Sequence, residues 1–186
     1  MKQQTLNGMV VVHANDPTTK MLSRLYEMRT DLVSHVTETS SNSEVRHALK
    51  DAETVMMLGH GNPFGLFSTP DKKGQYVRFL VEGRHVEFLR GKTCVGIWCY
   101  ANEFALHYGL HGLFSGMVIS EQEEADAYHI VATKEEIDRE IEKYASRLTW
   151  CLENCELRDI PARLQAMDDV RSSLTQFNYQ NLYYYE

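Results

Sequence analysis

The sequence predicts a single α/β domain over residues 1–186, with an open, mainly parallel sheet in the strand order 2-1-3-4-5, helices on both faces and further helices at the C-terminal end. Short apolar runs alternate with amphipathic stretches through the first two thirds of the chain, the rhythm of strands and helices that builds such a sheet. The 186 residues contain no repeat, linker or low-complexity block, and a chain of this length buries roughly 70% of its unfolded surface without disulfides or metal. At 43% hydrophobic and 24% charged residues, with 11 Gly and 4 Pro, the composition excludes a disordered or collagenous chain.

The first strand is the apolar run Met9 to Val12. Asn15-Asp16-Pro17 follows, where Asp16 caps a helix that begins at the preorganised Pro17 and turns Met21, Leu25 and Met28 inward. Leu32 to Val36 is the second strand, and Val45, Ala48, Leu49 and Ala52 recur at helical spacing. Val55 to Leu58 is a third, buried strand. A surface hairpin over Gly61 to Gln75 is expected from Asn62-Pro63 and the turn Thr69-Pro70-Asp71-Lys72-Lys73-Gly74. Glu82 to Arg90 reads as a short helix weakened by Gly83, Val95 to Trp98 as the fourth strand, Ala101 to Tyr108 as a helix stopped by Gly109, and Met117 to Ile119 as the fifth strand. From Lys134 the chain turns helical, and Ile137, Ile141, Tyr144, Leu148, Cys151 and Cys155 form one apolar stripe.

The formal charge of −7 argues against a general nucleic-acid grip or an anionic membrane surface, and favours basic partners. Met1 to Gly8 is polar, and Met9 to Val12 is too short for a signal-peptide core or a membrane span, so a soluble, cytoplasmic protein is expected. The four cysteines at 94, 99, 151 and 155 form neither a CxxC pair nor a secreted framework, which points to free thiols. Cys151 and Cys155 read as packing residues, and Gly109 breaks the helix that a metal face of His107 and His111 would need. No metal or cofactor is expected.

Two strand ends carry chemistry. Val55-Met56-Met57-Leu58 runs into Gly59-His60-Gly61, and Val95-Gly96-Ile97-Trp98 runs into Cys99-Tyr100-Ala101-Asn102. Cys99 follows His60 by 39 residues, ample for a parallel crossover, so the strands can be neighbours about 4.8 Å apart with both residues at their carboxyl ends, where open α/β sheets carry their sites. Cys99 then precedes a helix whose N-terminal dipole favours a thiolate, and His60 delivers a proton to a leaving amine. Gly61 allows close backbone approach, and its N–H with that of Cys99 is the candidate oxyanion hole. These parts fit amide hydrolysis.

At Met56-Met57-Leu58-Gly59-His60-Gly61 and Gly96-Ile97-Trp98-Cys99 the sequence resembles the caspase-like clan of cysteine peptidases, which includes caspases, metacaspases, clostripain and gingipains. The resemblance covers about residues 9 to 130. It implies a caspase-like fold, a His60/Cys99 dyad and a peptide or protein substrate. Ile119-Ser120, the acidic residues after it and Ala125-Asp126-Ala127 are similar to the segment after the next strand in metacaspases. The caspase signature Gln-Ala-Cys-Arg-Gly is absent, and only 17 residues separate Cys99 from Met117, which leaves no long cleavable linker and implies a single-chain enzyme.

The residues after strands 1, 4 and 5 share one sheet edge and include Asp16, Glu103, Glu121, Glu123 and Glu124, so these carboxylates are the candidate substrate-binding residues for an Arg or Lys before the scissile bond. Resemblance to metacaspases and clostripain points the same way. Lys72-Lys73 is then a candidate self-cleavage site. Two further classes remain open: a non-catalytic scaffold or regulator binding a partner through Tyr183-Tyr184-Tyr185, and a phosphate binder using Asn15-Asp16-Pro17-Thr18-Thr19, which lacks any glycine-rich phosphate motif.

Overall fold

The structure is a computed structural model that describes residues 8–186. Most of the polar N-terminal stretch read above, residues 1–7, lies outside the described residues. The first strand, β1 (Met9–His13), is buried at every position. Behind it Asp16 accepts a hydrogen bond from the Thr18 N–H and caps Pro17–Leu25, which is a 3-10 helix. Thr19, Leu22 and Leu25 turn inward at intervals of three, the repeat of that tighter helix. Met28 therefore does not join the inner face as expected; it lies beyond the helix and is exposed.

β2 (Leu32–Val36) leads to α1 (Asn42–Asp51), where Ser41 and Glu44 exchange capping bonds and Val45 and Leu49 are buried. β3 (Thr54–Leu58) is again buried throughout. The expected surface hairpin is a small antiparallel sheet of three strands, β4 (Gly61–Asn62), β5 (Gly65–Phe67) and β6 (Phe79–Glu82). The turn before Tyr76 is fixed by Asp71 Oδ1, which accepts from the N–H groups of Lys73 and Gln75 at 2.8 and 3.0 Å. Gly83–Phe88 is a 3-10 helix, and a Cβ on Gly83 would lie 2.5 Å from the Tyr108 hydroxyl, so a larger residue there would have to displace that side chain.

β7 (Thr93–Ile97) and α2 (Ala101–Tyr108, closed by Gly109 in the left-handed region) precede β8 (His111–Ser115). The fifth strand is thus His111–Ser115, not Met117–Ile119. The latter segment has a side chain where a strand partner would be: Asn178 Oδ1 accepts from the Ile119 N–H at 2.7 Å and Asn178 Nδ2 donates to the Ile119 carbonyl at 2.9 Å. α3 (Gln122–Ala127), the long α4 (Lys134–Asn154), α5 (Ile160–Ala166) and α6 (Ser173–Gln180) follow, and β9 (Leu182–Tyr185) ends the chain.

The main sheet has six strands in the order β2-β1-β3-β7-β8-β9. All pairings are parallel except β8–β9. The aromatic tail is therefore an edge strand, with His111 Nε2 3.1 Å from the Tyr184 hydroxyl and Tyr185 stacked on Phe114. Side chains alternate between two cores, as the strand period requires. Val10, Val12, Val55 and Met57 pack with α1, α2 and the small sheet; Met9, Val11, Met56, Leu58, Val95 and Ile97 pack with Leu22, Leu25, α4 and α5. No helix among the described residues is long and apolar enough to cross a membrane.

Candidate active site

The register between β3 and β7 sets Leu58 opposite Ile97, so the two chains leave the sheet side by side. The Gly59 N–H still donates to the Ile97 carbonyl at 3.1 Å, and the Trp98 N–H donates to Ser115 Oγ at 3.0 Å on the other flank. His60 and Cys99 each lie two residues beyond that last pair, and both line one pocket.

His60 is held by a relay. Its Nε2 lies 2.7 Å from Thr18 Oγ1, and the Thr18 hydroxyl donates to Asp16 Oδ1 at 2.8 Å. A hydroxyl has one proton to give. With that proton on Asp16, Nε2–H donates to Thr18 and Nδ1 is left as the basic nitrogen of the neutral ring. Tyr76 adds a second support: its ring tilts against His60 with centroids 5.5 Å apart, stacks on Phe67, and its hydroxyl donates to Asp16 Oδ2 at 3.4 Å. Burial and the nearby Asp16 push the Tyr76 phenol far above its ordinary range, so it stays neutral. Asp16 thus acts as the helix cap and the far end of the His60 relay.

Cys99 differs from its expected state. Burial of the thiol, and then the carboxylate of Glu124, push its pKa up to about 12, against the backbone N–H groups of Val118 and Cys99 that favour the thiolate. The cysteine Sγ lies 3.9 Å from Glu124 Oε1. The helix dipole does not prevail because the first N–H groups at the start of α2 are engaged: Tyr100 N–H donates to the Gly116 carbonyl at 3.2 Å and Ala101 N–H to the Trp98 carbonyl at 3.1 Å. Tyr100 makes this sharp turn in the left-handed region, at φ 68°, an uncommon conformation for a bulky side chain.

Gly61, the other expected oxyanion residue, pairs with Leu66 in the small sheet. Its lack of a side chain is a packing requirement, since a Cβ would collide with Trp98 Cδ1 and come within 2.5 Å of the Gly65 carbonyl. The Trp98 indole N–H donates to the Asn62 carbonyl at 3.2 Å, which ties the two strand ends together.

The five expected rim carboxylates separate. Glu103 and Glu123 are exposed on α2 and α3. Glu124 caps α3, its Oε2 accepting from the Ser120 and Glu121 N–H groups at 2.7 and 3.1 Å. Asp16 and Glu121 alone both act on the Tyr76 hydroxyl. Sequence alone does not couple Thr18 or Tyr76 to His60. Thr18 lies in the Asn15–Thr19 turn, but its approach to His60, 42 residues away, has no local signal.

Several of the other cysteines and histidines have packing partners, whereas His47 and His129 are exposed. Cys94 is buried, with its thiol directed to the Leu89 carbonyl, Cys151 Sγ lies 3.7 Å from Met167 Sδ, and His107 packs edge-on to Tyr108. Among the described residues, no group of three or more His, Cys, Asp or Glu side chains is placed to hold a metal ion. No protein-family model matches the chain, and no curated protein matches it in sequence.

Proposed function

We propose that the protein is a cysteine hydrolase of peptide bonds, with Cys99 as nucleophile and His60 as its acid–base partner. The observation that carries this reading is the placement of both side chains in one pocket, at the carboxyl ends of adjacent parallel strands. The succession β2-β1-β3-β7-β8, with β9 added antiparallel at the edge, supports taking the fold as caspase-like.

In the proposed reaction Cys99 Sγ attacks the carbonyl carbon while its proton passes to His60. The thiol is un-ionised at rest, so attack and proton transfer are coupled. His60 then gives the proton to the departing amine, and the C–N bond breaks to leave a thioester on Cys99. Water attacks that thioester as His60 takes its proton, and the proton returns to the thiol as the acid leaves. The relay through Thr18 to Asp16 orients the imidazole for each transfer.

A catalytically silent binding protein is the second reading, favoured by the high thiol pKa. Turnover of a peptide library separates the two. Cys99→Ala and His60→Ala each abolish hydrolysis with unchanged thermal unfolding if the first reading holds, whereas Cys94→Ala retains it because Cys94 lies at the opposite end of β7. Hydrolysis that persists without Cys99 overturns the proposal.

A further inference from the structure

The pocket shared by His60 and Cys99 is a half-open cleft of about 40 Å³, walled by Met21, Leu22, Ile97, Val118, Ile141 and Tyr144 and also lined by two threonines and two serines. These residues come from the 3-10 helix after β1, the last position of β7, the segment after β8 and the inner face of α4. Its lining includes none of Asp16, Glu103, Glu121, Glu123 and Glu124. Resting on the reading of Cys99 as nucleophile, we infer that this pocket receives the substrate side chain before the scissile bond and selects a short apolar one, the size of alanine or valine.

Size and polarity both decide this. The volume has room for about three water-sized groups at roughly 10–15 Å³ each, which matches the three carbons of a valine side chain and not the longer chains of lysine or arginine. A cationic head brought against this wall would lose its water, and the Glu124 carboxylate beside Cys99 is already held by the N–H groups of Ser120 and Glu121; a buried charge without a free partner is strongly disfavoured. A methyl or isopropyl group leaves water for a surface that suits it. Asp16 and Glu121 act at Tyr76 and do not line the pocket.

The test is a fluorogenic peptide panel on the full chain, varying only the residue before the scissile bond through Ala, Val, Leu, Phe, Lys, Arg and Asp. The expected result is a kcat/KM for Ala or Val at least about tenfold above that for Phe, Lys or Arg, the scale on which an apolar pocket discriminates. Met21→Ala, at a half-buried site, and independently Val118→Ala each widen the pocket and move the optimum to Leu. A preference for Lys or Arg, or an optimum unmoved in both variants while they fold normally, overturns the inference and leaves Cys99 as the nucleophile. No turnover of any peptide overturns the hydrolase reading and the inference with it.

Discussion

The thiol of Cys99 faces the carboxylate of Glu124, with 3.9 Å between Sγ and Oε1. That carboxylate is fixed by Ser120 and Glu121, whose N–H groups and the Ser120 hydroxyl all donate to Oε2. A held anion beside a buried thiol keeps the proton on sulfur. Glu124→Gln removes the charge and preserves the shape. Its expected effect is a lower Cys99 pKa and iodoacetamide alkylation of Cys99 faster by about tenfold at pH 8, with loss of about 1 kcal/mol from a weakened α3 cap. An unchanged alkylation rate would show that burial alone sets the thiol.

The His60 relay gives a separate expectation. Thr18→Val keeps the volume but removes the hydroxyl between His60 Nε2 and Asp16 Oδ1. Peptide hydrolysis by this variant should fall in kcat by up to about a hundredfold, the cost of a misplaced catalytic group, with KM nearly constant. Loss confined to KM would assign Thr18 to substrate binding instead.

His13 sets a pH limit on stability. It is buried, with Nδ1 3.0 Å from the Tyr26 hydroxyl and Nε2 3.2 Å from Thr19 Oγ1. Burial, then the charge of His35, lower its pKa to about 4, although Thr19 and Asp16 act in the opposite direction. The folded state therefore holds the neutral ring while the unfolded chain takes up a proton below about pH 6.5. The contribution is full above that pH and declines as pH falls toward 4, by up to about 3 kcal/mol. Urea unfolding at pH 7 and pH 4.5 should show this loss in the natural chain and a smaller one in His13→Asn; equal pH dependence in both would remove His13 from the account.

Much of this arrangement was legible in the sequence, for identifiable reasons. β1 and β3 are buried on both faces and so read as unbroken apolar runs, and Gly109 marked the end of α2 by its left-handed turn. β8 escaped because Gly112 and Ser115 interrupt its apolar pattern. Gly112 is required where its Cα passes against the Cys94 backbone, and Ser115 bonds Trp98 through both its N–H and its carbonyl. The apolar run Met117 to Ile119 was mistaken for the strand because the amide of Asn178, distant in sequence, satisfies its backbone. His60 and Cys99 stand out in the sequence because strand ends are local features. The roles of Thr18, Tyr76 and Glu124 depend on contacts 42, 60 and 25 residues away, and no periodicity encodes those.

Covalent trapping tests the pairing of Cys99 with His60. The full chain is treated at pH 7.5 with a peptidyl acyloxymethyl ketone bearing alanine at the reactive position, and the modified residue is mapped by peptide mass spectrometry. One adduct per chain is expected on Cys99, lost in Cys99→Ala and slowed in His60→Ala, with Cys94, Cys151 and Cys155 unmodified. Adducts distributed among the cysteines, or labelling of Cys99 at the same rate without His60, would contradict that pairing.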